Sequence, residues 1–136
     1  MSDENKALVH RFYEEVFNQK NIQAIDDICA PSMIDHSPMP GQEPGLQGMK
    51  DSFTVFVGGF PDLKATVEAM VAEGDLVATR FTVTATHTGE VMGARPTGRP
   101  VTFHGIDILR ISAGKVTEAW HQGDEMLVMA ELGATP

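Results

Sequence analysis

Cysteine is nearly absent from this chain, in which Cys29 is the only one among 136 residues. A single thiol cannot form an internal disulfide and cannot build a cysteine-rich metal site. We interpret Cys29 as a small apolar residue that is buried on a helix. The sequence therefore predicts a fold without a disulfide framework.

Basic residues are also few. Ten lysines and arginines stand against nineteen aspartates and glutamates, which gives a formal charge of −9. An acidic chain without a basic cluster is repelled by phosphate backbones and by anionic lipid surfaces. The sequence therefore predicts that neither a nucleic acid nor a membrane is a partner.

A long hydrophobic run is missing as well, since no stretch approaches the roughly 20 apolar residues of a membrane-spanning helix. The N-terminal sequence MSDENKALVHRF is polar and acidic where a secretory signal would be basic and then apolar. These features predict a cytoplasmic protein. The length and an ordinary hydrophobic content of 42% predict one domain over residues 1–136 with a real core.

The chain contains a helical first half and a strand-rich second half. Apolar residues recur at helical spacing over residues 8–17, 22–29 and 49–57, with a loop at 37–48. Apolar and polar residues alternate over residues 63–71, and β-formers are enriched over 76–88. A hairpin at 101–124 and a short helix at 124–132 follow. This order predicts an α+β fold, with helices packed on one face of a curved antiparallel sheet.

The hairpin at 101–124, VTFHGIDILRISAGKVTEAWHQGD, carries the functional prediction. Gly114 suits the left-handed position of a three-residue turn, which pairs Ile111 with Lys115, Ile108 with Glu118 and Ile106 with Trp120. His104 then lies diagonal to Asp124 on one face of the hairpin. That face has the apolar floor and few polar groups of a small-molecule pocket. Its members are His104, Ile106, Ile108, Trp120, Gln122 and Asp124.

Several short sequence motifs, in their order and spacing, resemble those of the SnoaL-like polyketide cyclases, which are also called ester cyclases. The resemblance covers nearly the whole chain. The motifs are FPD at 60–62, EGDLVA at 73–78, THTG at 86–89, PTG at 96–98, GIDI at 105–108, GKVTEAW at 114–120, Asp124, and ELG at 131–133.

This resemblance implies a cone-shaped fold similar to nuclear transport factor 2 and ketosteroid isomerase, with a curved sheet around a deep pocket that helices close. It implies a homodimer or a larger symmetric assembly. Characterised members perform an intramolecular aldol condensation on an aromatic polyketide methyl ester, without a metal or an organic cofactor. Their acid–base residue is an aspartate a few residues after the hairpin tryptophan, and Asp124 matches that position.

Asp124 and His104 are the predicted catalytic residues. An aldol step needs a base beside a carbonyl and then an acid for the new alkoxide, and one carboxyl group can do both. Burial beside Trp120 is expected to raise the pKa of Asp124. The alternative is that Asp124 only caps the final helix. His104 would hold the enolate oxygen or orient Asp124, and its alternative is a structural histidine on the sheet.

Other side chains are candidates for substrate contact. Each also has a purely structural interpretation, as core, pocket wall or surface turn. A phenol on the first helix could donate a hydrogen bond to an oxyanion, and a histidine in a loop could cover the pocket. These candidates are Trp120, Gln122, His36, Tyr13, Phe17 and His87.

Strand parity excludes two residues of the hairpin from the predicted pocket face. His121 lies on the face opposite His104, which argues against a three-histidine metal site with His87, so no metal is predicted. Asp107 also faces away from the predicted pocket, so we interpret it as structural or as part of a subunit contact.

The sequence thus predicts a cofactor-independent, cyclase-like enzyme that acts on a small apolar carbonyl or ester compound. Two alternatives remain. One is an isomerase, dehydratase or hydrolase that uses the same aspartate, and the other is a small-molecule binding module without catalysis.

Overall fold

A computed structural model describes residues 2–134. Ten helices and strands follow one another along these residues. They are α1 (Ser2–Arg11), a π-helical segment (Phe12–Asn18), α2 (Ala24–Ile28), β1 (Cys29–Asp35), α3 (Gly45–Gly59), β2 (Lys64–Glu73), β3 (Leu76–Thr86), β4 (Pro100–Ser112), β5 (Lys115–Gly123) and α4 (Glu125–Glu131).

The strands form one curved, unclosed sheet in the order β1-β5-β4-β3-β2. The α+β fold is confirmed. The sheet is mixed rather than antiparallel, because β1 pairs with β5 in parallel. Two parallel strands cannot be joined by a short hairpin, and the connection from β1 to β5 runs through α3 and strands β2 to β4.

The core lies between one face of the sheet, here called the inner face, and the helices. Every second residue of β4, starting at Phe103, is buried, whereas the residues between them are mostly exposed. Val9, Tyr13 and Val16 of the first helical region are buried against this face. No helix of residues 2–134 is both long and apolar enough to cross a membrane.

The first loop and the start of α3 differ from the prediction. Cys29 was expected to lie on a helix, but α2 ends at Ile28, and Cys29 and Pro31 lie within β1. β1 is an edge strand, where a residue without a backbone N–H is tolerated. α3 begins at Gly45, inside the predicted loop.

The register of the β4–β5 hairpin also differs from the prediction. Ala113 and Gly114 have φ angles of 51° and 74°, as in a two-residue turn, and Ser112 pairs with Lys115. A bulge between Arg110 and Ile111 shifts the pairing once more. Ile108 therefore faces Trp120, and the predicted pairs of Ile106 with Trp120 and of Ile108 with Glu118 are wrong.

A shift of two residues preserves the side of the sheet on which each residue lies. His104, Trp120 and Asp124 therefore do share a face. That face is the outer one, where Ile106 and Ile108 are 47% and 38% exposed. The expectation that it forms the floor of a pocket is wrong, because the helices pack on the other side.

Candidate active site

A cavity of about 450 Å³ lies between the inner face of the sheet and the helices. Its size suits a ligand of several rings. Most of its wall is apolar and aromatic. These residues include Phe12, Val16, Phe17, Met33, Phe53, Phe56, Phe81, Phe103, Leu109 and Met129.

His121 is the central residue of a hydrogen-bonded polar cluster in the wall of this cavity. Asp107 and His121 are direct partners across β4 and β5, and both line the cavity. The Nδ1 atom of His121 is 2.6 Å from Oδ1 of Asp107. On its other side, Nε2 of His121 is hydrogen-bonded to Oε1 of Glu125, the first residue of α4, which also lines the cavity. The imidazole is therefore held between two carboxylates.

Two glycines leave the space that this imidazole occupies. Gly105 and Gly123 are paired with each other on neighbouring strands, two residues along the sheet from the Asp107–His121 pair. A Cβ atom at Gly105 would lie 2.9 Å from Cε1 of His121, and one at Gly123 would lie 2.9 Å from its Nε2. Real Cβ atoms do not approach other atoms so closely. The absence of side chains at these positions therefore permits the observed position of the ring.

Tyr13 extends the network into the protein interior. Its hydroxyl donates to Oδ2 of Asp107 over 2.5 Å, and its side chain is buried. Asp107 thus receives one donor on each carboxylate oxygen, from Tyr13 and from His121. A buried carboxylate is stable only when its oxygens are paired in this way.

The network favours a charged His121. Burial lowers the pKa of His121, but the hydrogen bonds to Asp107 and Glu125, together with their negative charges, raise it to about 10. At neutral pH the ring is therefore an imidazolium that donates from both nitrogens. Burial and the charge of Asp107 raise the pKa of Tyr13 far above its ordinary value, so the phenol remains a hydrogen-bond donor.

The loop between β1 and α3 is joined to the same residue. The backbone N–H of His121 donates to Oγ of Ser37 over 3.0 Å. Within the loop, Gln42 donates to Asp35 over 2.8 Å and accepts from the N–H of Met39 over 3.0 Å. Ser37, Met39 and Gln42 all contribute to the cavity wall.

His104 and Asp124, the residues predicted to be catalytic, contact each other on the outer face. Nδ1 of His104 is 3.0 Å from Oδ2 of Asp124, and the backbone N–H of His104 donates to Oδ1 over 2.7 Å. Their side chains are 64% and 34% exposed. His104 is among the residues that line the cavity, whereas Asp124 is not.

The surroundings of Asp124 match neither the expected buried carboxyl group with a raised pKa nor the expected helix cap. Burial raises its pKa, but the hydrogen bonds from the backbone and ring of His104 outweigh burial and keep the pKa below its usual range. The expected rise is therefore wrong. Asp124 does precede α4, yet its side chain makes no capping hydrogen bond, because His104 occupies both carboxylate oxygens.

The predicted substrate contacts are divided between the two faces. Phe17 lines the cavity, and Tyr13 lies behind Asp107. Trp120 stacks on His36 with ring centres 4.7 Å apart, and neither residue lines the cavity. The exposed Gln122 does not line it either.

His87 is fully buried outside the cavity wall. Its Nδ1 atom is 2.9 Å from Oγ1 of Thr97. Within residues 2–134, no group of three or more His, Cys, Asp or Glu side chains is arranged to hold a metal ion.

Strand parity correctly separated His121 from His104 but assigned the pocket to the wrong face. The prediction that Asp107 faces away from the pocket is wrong. One signal was available in the sequence. Asp107 shares its strand face with the strongly apolar Phe103, Leu109 and Ile111, and a lone acid in such a row often marks a buried functional group.

A curved, unclosed sheet packed with helices around an apolar cavity is the architecture of the nuclear transport factor 2-like fold. A family model described as SnoaL-like polyketide cyclase matches residues 7–132. The chain belongs to this family.

Solved structures support this assignment. AclR, a proposed hydroxylase from Streptomyces galilaeus, is 33% identical with a TM-score of 0.85, over 98% of this chain and 87% of AclR. IdmH, a proposed polyketide cyclase from Streptomyces antibioticus, is 30% identical with a TM-score of 0.82, over 96% of this chain and 99% of IdmH. TsrD from Streptomyces laurentii is 26% identical with a TM-score of 0.83, over 98% and 97% of the two chains. No match was found among curated proteins.

Proposed function

We propose that the protein is an enzyme that closes a ring in a small, largely apolar carbonyl or ester compound by acid–base catalysis. His121 and Glu125 are the groups that transfer protons. One observation carries this proposal: the His121 imidazole lies between two carboxylates in the wall of an apolar cavity. Membership of the cyclase family supports the ring-closing reaction.

The arrangement supplies both halves of an aldol-type cyclisation. The carboxylate of Glu125 removes a proton from the carbon next to a carbonyl, and the resulting enolate carbon forms a bond with a second carbonyl carbon. The His121 imidazolium then gives its Nε2 proton to the new alkoxide. The proton on Glu125 passes to Nε2, to which it is hydrogen-bonded, so the site returns to its starting state.

Asp107 has a different role in this proposal. Both of its oxygens are engaged, by Tyr13 and by Nδ1 of His121, so it is a poor base toward a substrate. It instead fixes the orientation of the ring and holds the proton on Nδ1, which directs Nε2 toward Glu125 and the cavity.

The Asp124–His104 pair is the competing catalytic site, because the family resemblance points to Asp124. The two sites make opposite predictions for matched variants. We expect His121→Gln and Glu125→Gln to lower turnover by about 10²–10⁴-fold, the usual contribution of a general acid or base. We expect His104→Gln and Asp124→Asn to retain turnover within a few-fold, because these side chains face solvent on the outer face.

A suitable probe is an aromatic methyl ester with a neighbouring ketone side chain, whose ring closure is followed by NMR and chromatography. Thermal unfolding of all four variants checks that each one folds. Loss of turnover in Asp124→Asn with full turnover in Glu125→Gln would transfer the assignment to the outer pair. Tight binding of the probe by the wild-type protein without any product would instead favour a binding module.

We also infer that the protein assembles as a symmetric homodimer through the outer face of the sheet. Ile106 and Ile108 are exposed there beside Trp120, and adjacent exposed apolar groups on a sheet face are typical of a subunit contact. A two-fold axis through this face would bury them against their own copies.

A further inference from the structure

Tyr13 is joined to the proposed catalytic groups without belonging to the cavity. Its ring is buried and does not line the cavity wall, and its hydroxyl contacts Asp107. We propose that Tyr13 is a positioning residue that holds Asp107 and thereby sets the orientation and proton affinity of His121. This inference rests on the proposed function, since it concerns a residue that positions His121, the proposed acid.

The geometry leaves Asp107 dependent on Tyr13. The hydroxyl lies 2.5 Å from Oδ2, while Nδ1 of His121 lies 2.6 Å from Oδ1. A carboxylate rotates readily about its last torsion, because that torsion has broad minima. Two donors on opposite oxygens prevent this rotation. Loss of the Tyr13 hydroxyl would leave Oδ2 buried without this donor, so that His121 would become the remaining hydrogen-bond donor to the Asp107 carboxylate.

An unusual backbone places the phenol at this point. Tyr13 lies in the π-helical segment, whose wide turn is closed by the N–H of Gln19 donating to the carbonyl of Glu14 over 2.9 Å. Such segments are rare in proteins overall, and those that occur are often found at functional sites. The Tyr13 ring is packed between Phe17 and Phe81, with ring centres 5.5 Å and 5.1 Å away. Aromatic packing on both sides restricts the direction of the hydroxyl.

The sign of the effect on His121 follows from the charges around it. The ring contacts the carboxylates of Asp107 on β4 and Glu125 on α4, and it lies beside the uncharged Phe81 on β3. The backbone N–H of His121 donates to Ser37, which is also uncharged. The Tyr13 hydrogen bond stabilises the negative charge of Asp107. Without that bond Asp107 depends more strongly on the imidazolium, so His121 holds its proton more tightly and becomes a weaker acid.

Two changes of opposite sign test the proposal. Tyr13→Phe removes the donor, and we expect the pKa of His121 to rise and kcat to fall on the order of tenfold, the effect of one hydrogen bond. KM should not change, because Tyr13 does not line the cavity. The chain has a single tyrosine, so biosynthetic incorporation of 3-fluorotyrosine alters only Tyr13. A fluorinated phenol is a stronger donor, and we expect it to lower the pKa of His121.

The measurement is the titration of His121 by NMR of isotope-labelled histidine, together with kcat and KM for the aromatic ester probe. Val9→Ala is the matched control, since it removes buried packing one turn earlier on α1 without touching the network. It should lower stability and leave the His121 titration unchanged. The fluorine signal of the labelled protein should also change as His121 titrates.

Identical His121 titrations in the wild-type, fluorinated and Tyr13→Phe proteins would overturn the proposal. A rise in KM with constant kcat would also overturn it, because that result assigns Tyr13 to substrate binding. If Tyr13→Phe does not fold, the fluorinated protein decides the question alone. Failure of the proposed function has a different signature, which is full turnover in His121→Gln.

Discussion

His121 shows at the scale of a single residue how position determines chemistry. Nothing in the sequence around it distinguishes His121 from the other four histidines. Only the pairing with Asp107 and the start of α4 at Glu125 place two carboxylates on its ring. An ordinary imidazole titrates near pH 6.5, whereas these partners raise the pKa of His121 to about 10.

This raised pKa predicts a pH dependence of stability. The folded protein binds the His121 proton more tightly than the unfolded chain, so the stabilisation is complete below pH 6.5, the ordinary value for histidine, and is lost as the pH rises through about 10. We expect the difference in unfolding free energy between the wild-type protein and His121→Gln to shrink steadily between pH 7 and 10. Urea unfolding at several pH values measures it. A constant difference across this range would contradict the raised pKa.

Sequence reasoning reached part of the residue-scale result. Strand alternation predicted that His104 and Asp124 share a face, and a contact between their side chains is present. Which face of the hairpin meets the helices does not follow from alternation, because both faces carry apolar residues. Ile106 and Ile108 suggested an interior, whereas Phe103 and Leu109 are the buried side chains.

At the scale of elements, the β4–β5 hairpin determines the geometry of the site. The turn at Ala113 and Gly114 was recognisable from its residues, but its length and the bulge after Arg110 were not. A bulge depends on how two strands pack against their surroundings rather than on a local signal. Because the two errors add to a shift of two, the predicted pairs are wrong while the shared face is right.

The glycine pair in this hairpin supports a prediction at the same scale. A methyl group on Gly105 would meet His121 and Phe81, whose Cζ lies 2.7 Å from the position of the added atom. We expect Gly105→Ala to destabilise the protein by about 1–3 kcal/mol, as overpacking does, and to lower turnover by displacing the imidazole.

Gly58→Ala is the matched control for this change. Gly58 lies in α3, and an added methyl group there meets nothing within 4 Å. Alanine is favoured over glycine in a helix by about 0.5–1 kcal/mol, so this variant should be neutral or more stable. Urea unfolding compares the two proteins. Equal stability of Gly105→Ala and Gly58→Ala would show that the ring does not need the space at Gly105.

At the scale of the whole molecule, the homodimer proposal concerns the outer face of the sheet. We expect light scattering after size exclusion to give twice the mass of one chain for the wild-type protein. Ile106→Lys combined with Ile108→Lys should give a monomer, because each lysine would meet its own copy across a two-fold axis. Leu127→Lys is the control, since Leu127 is 66% exposed on α4. A wild-type monomer at high micromolar concentration would contradict the proposal.

The fold class followed from the sequence because periodicity is a local property that packing reinforces. The order of helices and strands, the long apolar alternations and the family resemblance all agree with the observed structure. The parallel pairing of β1 with β5 did not follow, since it joins segments far apart in the chain. Long-range pairings are selected by the closure of the whole core, and no short window of sequence records them.

Composition and order thus determined by themselves that this chain has an α+β fold with a hairpin rich in acid and imidazole groups. Only the tertiary structure decided which of those groups face the cavity. The helices, with Tyr13 at the π-helical turn, cover one side of the sheet and place Asp107, His121 and Glu125 inside. Removal from water and neighbouring charge change the proton affinity of a group, and both depend on side chains that are distant in sequence.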